Sequence, residues 1–226
     1  MRNTVRSIEI NSQEEYIMKQ YKIPNATIKR LPLYHRYFQF LKDSDKKKIS
    51  STELAEAVQV DSATIRRDFS YFGSLGKRGY GYEVEPMLEF FKKLLNQDKT
   101  SQVALVGVGN LGNALLNYNF SQTNNIKIAV AFDKNPQIIG QKINDVPILD
   151  TEKLAETIQN QEIDVAILTV PANNAQKVAD ELVQAGIKGI LNFSPLRIST
   201  PPTVRVHNVD LANELQTLIY FLDNYR

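Results

Sequence analysis

The sharpest chemical signal in the chain is one short stretch, Gly107, Val108, Gly109, Asn110, Leu111 and Gly112, placed directly after the apolar run 103–106. In this spacing each glycine has its own task. Gly107 makes a tight turn, Gly109 lets a pyrophosphate approach the backbone, and Gly112 lets a helix pack closely on the preceding strand. The N–H groups that open that helix then face the phosphates. Asp133 stands 21 residues past Gly112, at the end of a second apolar run, 126–132. A carboxylate there accepts hydrogen bonds from both adenosine ribose hydroxyls and repels a 2′-phosphate, which favours NAD(H) over NADP(H). The same fingerprint also suits a domain that has lost its ligand, or one that holds another nucleotide such as coenzyme A. Thr169, Val170 and Pro171 end one later apolar run, and Asn192 and Phe193 end the next. Both places are carboxyl edges of strands, where ligands lie in open α/β sheets. Phe193 either stacks near the nicotinamide or packs in the core.

A second signal lies upstream, at residues 50–73. Ser50 and Glu53 have the spacing of a capping box, which opens a short helix with Leu54, Ala55 and Val58 on its apolar side. After Gln59 and Val60, Asp61 or Ser62 caps a second helix. On it Ile65, Phe69 and Phe72 share one face, and the opposite face centres on Ala63, Arg67 and Ser70, flanked by Thr64 and Arg66. This is the size and punctuation of a helix-turn-helix. Small side chains permit close approach to a major groove, arginine pairs with guanine, and hydroxyls such as that of Ser62 reach phosphates. The bland alternative is a solvent-facing arginine pair on a helical hairpin. The adjoining stretch, from Gly73 to Tyr82, is glycine-rich, basic and aromatic. Two short strands joined by a glycine turn would carry Lys77 and Arg78 at the tip and Tyr80 beside them, as the wing that reaches phosphates or the minor groove.

Charge supports this division. Residues 19–82 hold 13 Lys and Arg against 6 Asp and Glu, although the whole chain of 226 residues has a net charge of only +2. The first lobe is therefore +7 and the remainder −5, a footprint of polyanion binding or else a solvated basic face. There is no cysteine, which excludes a disulfide scaffold, a thiolate metal site and thiol redox chemistry. The only histidines are His35 and His207, so no metal site is expected. A dehydrogenase needs an acid or base near the hydride acceptor. His207 sits in a strand-like setting that suits a structural histidine, and no Tyr-x-x-x-Lys pair occurs in the second half. About 130 residues for the sheet domain leave no room for a substrate domain. The dinucleotide thus reads as a signal and not as a reagent. No leader and no apolar run of membrane-spanning length is visible, and a cytoplasmic protein is expected.

Periodicity locates the elements that must position these groups. Ile28, Leu31, Tyr34, Phe38 and Leu41 mark a first helix, with Pro32 a point of break or kink. Residues 46–48 read as a charged connector. Pro86 suits the first position of a helix over 87–96, with Leu88, Phe91 and Leu95 on one face. Apolar runs at 103–106, 126–132, 165–170 and 187–193 alternate with helical patterns at 111–118, 152–159 and 175–185. Continuous apolar strands alternating with helices imply βαβ units and a parallel sheet covered on both faces.

These motifs together resemble the family of redox-sensing transcriptional repressors called Rex. The resemblance runs from about Ile23 to the end and rests on RLPLY at 30–34, DSATIRRDFSYFG at 61–73, GKRGYGY at 76–82, GVGNLG at 107–112, LTVPA at 168–172 and GIKGILNFSP at 186–195. It implies an α/β protein with a winged helix-turn-helix domain (23–85), a Rossmann-type NAD(H) domain (86–208) and a C-terminal dimerisation helix (209–226). Residues 1–22 lie outside the resemblance and read as an N-terminal extension that could be flexible. It further implies a homodimer on palindromic operator DNA, with NADH moving the two DNA-binding domains out of register. The C-terminal helix, 210–223, would be swapped between subunits. Leu211, Leu215, Leu218, Ile219 and Leu222 form its stripe, which on periodicity alone reads only as a buried helix. Asp210 matches a family position near the dimer junction. The competing expectations are an NAD-dependent oxidoreductase with a basic accessory domain and a coenzyme-A-type nucleotide-binding regulator.

Overall fold

The computed structural model describes residues 23–76, 79–95, 97, 99–118, 120 and 125–224. The expected extension 1–22 and the wing-tip residues Lys77 and Arg78 lie outside them. The chain divides into two units, 1–98 and 99–226.

The first unit is built on helix α1, Asn25–Asp43. Leu31, Tyr34, Phe38 and Leu41 form its buried stripe, with Thr27 and His35 also inside. Ile28, expected on that stripe, is 48% exposed. One helix runs through Pro32 without the expected break. Proline inside a helix costs about 3 kcal/mol, and burial of the Tyr34 and Phe38 rings on the following turns offsets it. Strand β1, Lys48–Ile49, leads into helix α2, Ser51–Val58, which starts on the expected capping box: Ser50 Oγ accepts the Glu53 N–H, and Glu53 reaches back to the Ser50 N–H. Gln59, in the left-handed region at φ 53°, ends α2. Asp61 then caps helix α3, Ser62–Ser70, by accepting the N–H groups of Ala63 and Thr64.

The wing differs from the expected hairpin. Among the described residues of 73–83 there is one strand, β2, Tyr82–Glu83, and it pairs antiparallel with β1, Ile49 opposite Tyr82. Gly73, Gly79 and Gly81 all have positive φ, which breaks up an extended run before Tyr82. At Gly81 (φ 81°) any Cβ would overlap the Ile49 carbonyl, so glycine is what lets the wing lie against β1.

Helix α4, Val84–Leu94, starts three residues before the expected 87. Pro86 is its third residue, still within the first turn, where backbone N–H groups have no partner to lose. Its buried face of Val84, Met87, Leu88 and Phe91 completes the first unit's core. The expected domain boundary at 85/86 thus moves to the end of α4. Rings meet edge to face in that core, Tyr34 with Phe69 at 5.1 Å and Phe69 with Tyr82 at 5.0 Å between centroids.

The second unit is a seven-stranded sheet. Strands β3 (Ser101–Val106), β4 (Ile126–Asp133), β6 (Val146–Asp150), β7 (Val165–Leu168), β8 (Gly189–Asn192) and β9 (Arg205–Asn208) are parallel, in the order β6-β4-β3-β7-β8-β9. β5, Lys142–Ile143, pairs antiparallel on the edge with β6. This edge hairpin was not expected, although Asn144 and Asp145, both at positive φ, are the turn residues such a loop requires. Helices α5 (Asn110–Leu116), α6 (Leu154–Asn160) and α7 (Ala172–Gln184) connect the strands. Along β3, Val103 and Leu105 enter one core, and Ala104 and Val106 the other. Burial on both faces is why the strands read as unbroken apolar runs. The chain leaves β3 toward β4 on one side and returns as β7 on the other, so the crevice between the ends of β3 and β7 is the topological switch point.

Helix α8, Leu211–Asn224, closes the chain. Its expected stripe is not buried within one chain: Leu211, Leu215, Leu218, Ile219 and Leu222 are 42–61% exposed. Among the described residues, no helix is long and apolar enough to cross a membrane.

Candidate functional site

The switch-point crevice collects most of the residues expected to hold a dinucleotide. Gly107, at φ 100°, turns the chain out of β3, and its N–H donates to the Phe132 carbonyl at 2.9 Å. The Thr169 hydroxyl donates to the Gly107 carbonyl at 2.7 Å, tying the end of β7 to the glycine loop. A Cβ on Gly107 would lie 2.8 Å from the Thr169 carbonyl oxygen, and one on Gly112 would overlap the Gly107 carbonyl. Packing within the protein therefore requires both glycines.

Gly109 differs from them. Its backbone is extended, at φ −74° and ψ −163°, and a Cβ there would meet nothing within 4 Å. Neither fold nor conformation demands glycine, and the missing side chain leaves open space at the start of α5. The first N–H groups of a helix have no intrahelical acceptor, so Asn110, Leu111 and Gly112 offer donors beside that space. This is the room a pyrophosphate needs. Beside the loop, Asp133 Oδ2 accepts the Val108 N–H at 2.7 Å and Oδ1 accepts the Asn135 N–H at 2.8 Å. Each carboxylate oxygen keeps a further lone pair for a ribose hydroxyl. The residues present fit an adenine dinucleotide.

The other expected contacts divide. Val170 is half-buried and Pro171 exposed at the mouth of the crevice. The Phe193 N–H donates to the Leu168 carbonyl at 2.9 Å, and its ring packs on the core that contains Val103 and Ile167. Asn192 is fully buried. Its amide donates to the Leu196 carbonyl and Asn208 Oδ1, both at 2.8 Å, and accepts the Ser194 N–H. It holds the 192–196 loop in place, with its amide groups engaged inside the protein. Asp210 caps α8 by accepting the Asn213 N–H at 3.0 Å. His207 lies exposed on the edge strand β9. Among the described residues there is no metal-holding group of His, Cys, Asp and Glu.

The first unit presents the second candidate surface. On α3, Ala63, Arg66, Arg67 and Ser70 are exposed, Ser62 and Thr64 half-buried, and Ile65 and Phe69 buried, as periodicity predicts. Arg66 donates to Ser51 Oγ at the start of α2, at 3.0 Å. Tyr80 is 47% exposed. Lys48 hydrogen-bonds its hydroxyl and sits 3.5 Å from its ring centroid. Lys48 and Ser51 thus join the basic face although sequence reasoning left them out. The pairing of β1 with β2, invisible in a connector of three lysines, brings Lys48 there.

A larger omission is Asp68. It lies on the inner face of α3 at 1% exposure, between Ile65 and Phe69. Thr27, Arg30 and Tyr34 of α1 all bond to it. Burial alone would push the carboxyl up. The Arg30 guanidinium, with the Tyr34 and Thr27 hydroxyls, more than cancels this and holds it below the usual carboxylate range. The helical phase of α3 carried the warning: a charge between two core positions must have a partner.

Comparison with known proteins bears on both surfaces. Residues 22–70 match the family "Putative DNA-binding protein N-terminus", and residues 98–196 match "CoA binding domain". A "Redox-sensing transcriptional repressor Rex" of Lactobacillus gasseri is 64% identical over 207 residues, covering 92% of this chain and 97% of that protein. One of Lactiplantibacillus plantarum is 61% identical, covering 92% of each. Among solved structures, the Rex-family repressor RSP in complex with beta-NAD+ and operator DNA superposes with a TM-score of 0.85 at 41% identity, covering 91% of this chain and 94% of that one. RSP in complex with beta-NADH gives 0.81 at 40% identity, covering 91% and 96%. At this identity, over nearly the whole of both chains, the chain belongs to the Rex family of redox-sensing transcriptional repressors.

Proposed function

We propose that the chain is a transcriptional repressor whose grip on operator DNA is set by the NADH and NAD+ bound at the β3–β7 switch point. The observation that carries this is Gly109: an open cradle that the fold itself does not require, flanked by helix-opening N–H groups and by Asp133. Gly107, Val108, Gly109, Asn110, Leu111 and Gly112 cradle the pyrophosphate, Asp133 takes the ribose, and Thr169, Val170, Pro171 and Phe193 line the nicotinamide side. Asn192 supports that side from within. The dinucleotide acts as an effector and not as a hydride reagent.

The DNA-facing set is Ser62, Ala63, Thr64, Arg66, Arg67 and Ser70 on α3, with Lys77, Arg78 and Tyr80 of the wing. Residues 23–98 make the DNA-binding unit and 99–208 the dinucleotide unit. Residues 209–226 make a dimerisation segment, and 1–22 an extension. The exposed apolar stripe of α8 supports a homodimer in which this helix packs on a second copy, with Asp210 at the junction. Two recognition helices then meet two half-sites about one helical turn apart, which a palindrome supplies. A protein that meets operator DNA works in the cytoplasm. Moving such a dimer from nearly all bound to nearly all released takes about 5.5 kcal/mol of preference by NADH for the released arrangement.

Fluorescence anisotropy of a duplex selected by the protein from a randomised pool tests this at one stated salt concentration. NADH releases the duplex and NAD+ does not; operator affinity unchanged at saturating NADH ends the sensing claim. Calorimetry separates the coenzyme-A alternative, because Asp133→Ala weakens NADH strongly and coenzyme A little. Leu215→Glu with Leu218→Glu yields a monomer in sedimentation and abolishes tight operator binding.

A further inference from the structure

We infer that Arg30, Tyr34 and Asp68 are positioning residues for base reading: α1 locks the rotation of the recognition helix α3 through one saturated carboxylate. This inference rests on α3 being the DNA-reading helix.

Asp68 Oδ1 accepts from Thr27 Oγ1 at 2.8 Å and from Arg30 Nη2 at 2.7 Å; Oδ2 accepts from Arg30 Nε and Tyr34 Oη, both at 2.6 Å. Four bonds fill all the lone-pair sites of a carboxylate. The three donors come from positions 27, 30 and 34 of α1, a single helical face, and they reach across 34 to 41 residues of chain. The Arg30 contact is two-pronged, the geometry that fixes orientation as well as distance.

Stability alone is a poor reason for such an arrangement. A buried ion pair is often matched or bettered by apolar side chains of similar volume. The inner face of α3 already has Ile65 and Phe69 to hold it down. Apolar contacts, however, resist rotation about the helix axis weakly, because they have no preferred direction. Bonds whose angles must stay within tight limits resist it strongly. The requirement is strict on the other face. A rotation of about 20° moves a side-chain tip ~5.5 Å from the axis by about 2 Å, more than a bidentate contact to a base tolerates. Arg67 is the residue next to Asp68 and points outward. Whatever fixes the angle of Asp68 fixes the direction in which Arg67 leaves the helix.

The test exploits charge balance. Arg30→Met combined with Asp68→Leu removes one positive and one negative group, so the electrostatic, sequence-independent part of DNA binding is preserved. Wild type and variant are titrated with the duplex selected by the wild-type protein and with a scrambled duplex of the same composition. Thermal unfolding and NADH affinity are measured in parallel. The variant leaves the Thr27 and Tyr34 hydroxyls without their acceptor, so it is expected to melt somewhat lower while staying folded, to keep its NADH affinity, and to bind scrambled DNA within about twofold, while its preference for the selected duplex falls about tenfold or more. Tyr34→Phe loses part of that preference, and Arg30→Lys, which keeps the charge without the fork, loses most of it. A folded Arg30→Met/Asp68→Leu protein that keeps the wild-type preference overturns the inference, and so does loss of both affinities in proportion to the unfolded fraction. If that pair fails to fold, Asp68→Asn decides by the same ratio. A wild-type protein that enriches no duplex at all removes the DNA-binding reading itself, which a retained preference in the variant does not.

Discussion

The two units build their working surfaces by opposite means. The sheet unit leaves side chains out: Gly107 and Gly112 clear the path of the backbone, and Gly109 leaves open space at the start of α5, where the proposed function puts the pyrophosphate. The helical unit puts a charge in, burying Asp68 among three donors behind the surface it serves. An absence tolerates no substituent where backbone stands in the way, while a buried charge tolerates none that leaves its partners unmatched. The first kind of site is local in the chain, and the second is assembled from afar.

Four changes probe this contrast. The largest effect is expected at Gly112→Val, where the added Cβ overlaps the Gly107 carbonyl. With backbone on both sides there is no relaxation, and destabilisation of order 4 kcal/mol appears as a sheet unit largely lost from near-ultraviolet circular dichroism at 37 °C. Asp68→Ala comes next. It strands the Arg30 guanidinium and two hydroxyls, at about 2–3 kcal/mol, below the ~3–5 kcal/mol of a fully buried pair, because the Arg30 side chain keeps 27% exposure to water. Urea unfolding measures it. Gly109→Ala separates the two uses of glycine within one loop: unfolding shifts by under about 0.5 kcal/mol, yet NADH affinity in calorimetry falls about tenfold. An equal loss of stability at 109 and 112, with NADH affinity unchanged at 109, would show that these two glycines serve the fold alone.

The smallest effect is a pH dependence at His35. Burial, and then the charge of Lys92, hold this imidazole below its ordinary pKa, and its Nε2 is buried without a hydrogen-bond partner among the described residues. The unfolded chain takes up a proton near pH 6.5 and the folded one resists it, so stability is full above that value and falls on acidification. The change is under about 1 kcal/mol between pH 7 and pH 6 and at most about 1.4 kcal/mol per pH unit below. His35→Leu flattens the urea midpoint against pH in that window. Asp68, with its carboxyl held low, gives a separate loss only below about pH 4.

The same contrast explains what can be read in advance. The glycine loop, Asp133 and the outward face of α3 are legible in the sequence because each is a contiguous run or a simple period. The capping box at Ser50 and Glu53 is legible for the same reason. The wing is misread because its partner strand, Lys48–Ile49, is two residues long and lies on the far side of two helices in the chain. The β5–β6 hairpin escapes because strands of two and five residues carry little periodicity. The start of α4 is misplaced because proline is assigned the first position when the third serves equally well. Asp68 stands in plain view on a core-facing position, yet naming its partners requires knowing that α1 crosses behind α3. The stripe on α8 reads correctly as apolar, but whether it is covered depends on a neighbour that one chain does not contain.

The freedom at Gly109 has a genetic consequence. A glycine codon becomes an alanine codon by a single base change, and here neither backbone conformation nor packing opposes the exchange. Such a mutant would be made, folded and retained at normal levels, invisible to the proteases that remove damaged chains. On the proposed function, it would need about tenfold more NADH to release its operator. On that function, weakened sensing lies one base change away, and nothing in the fold opposes the step.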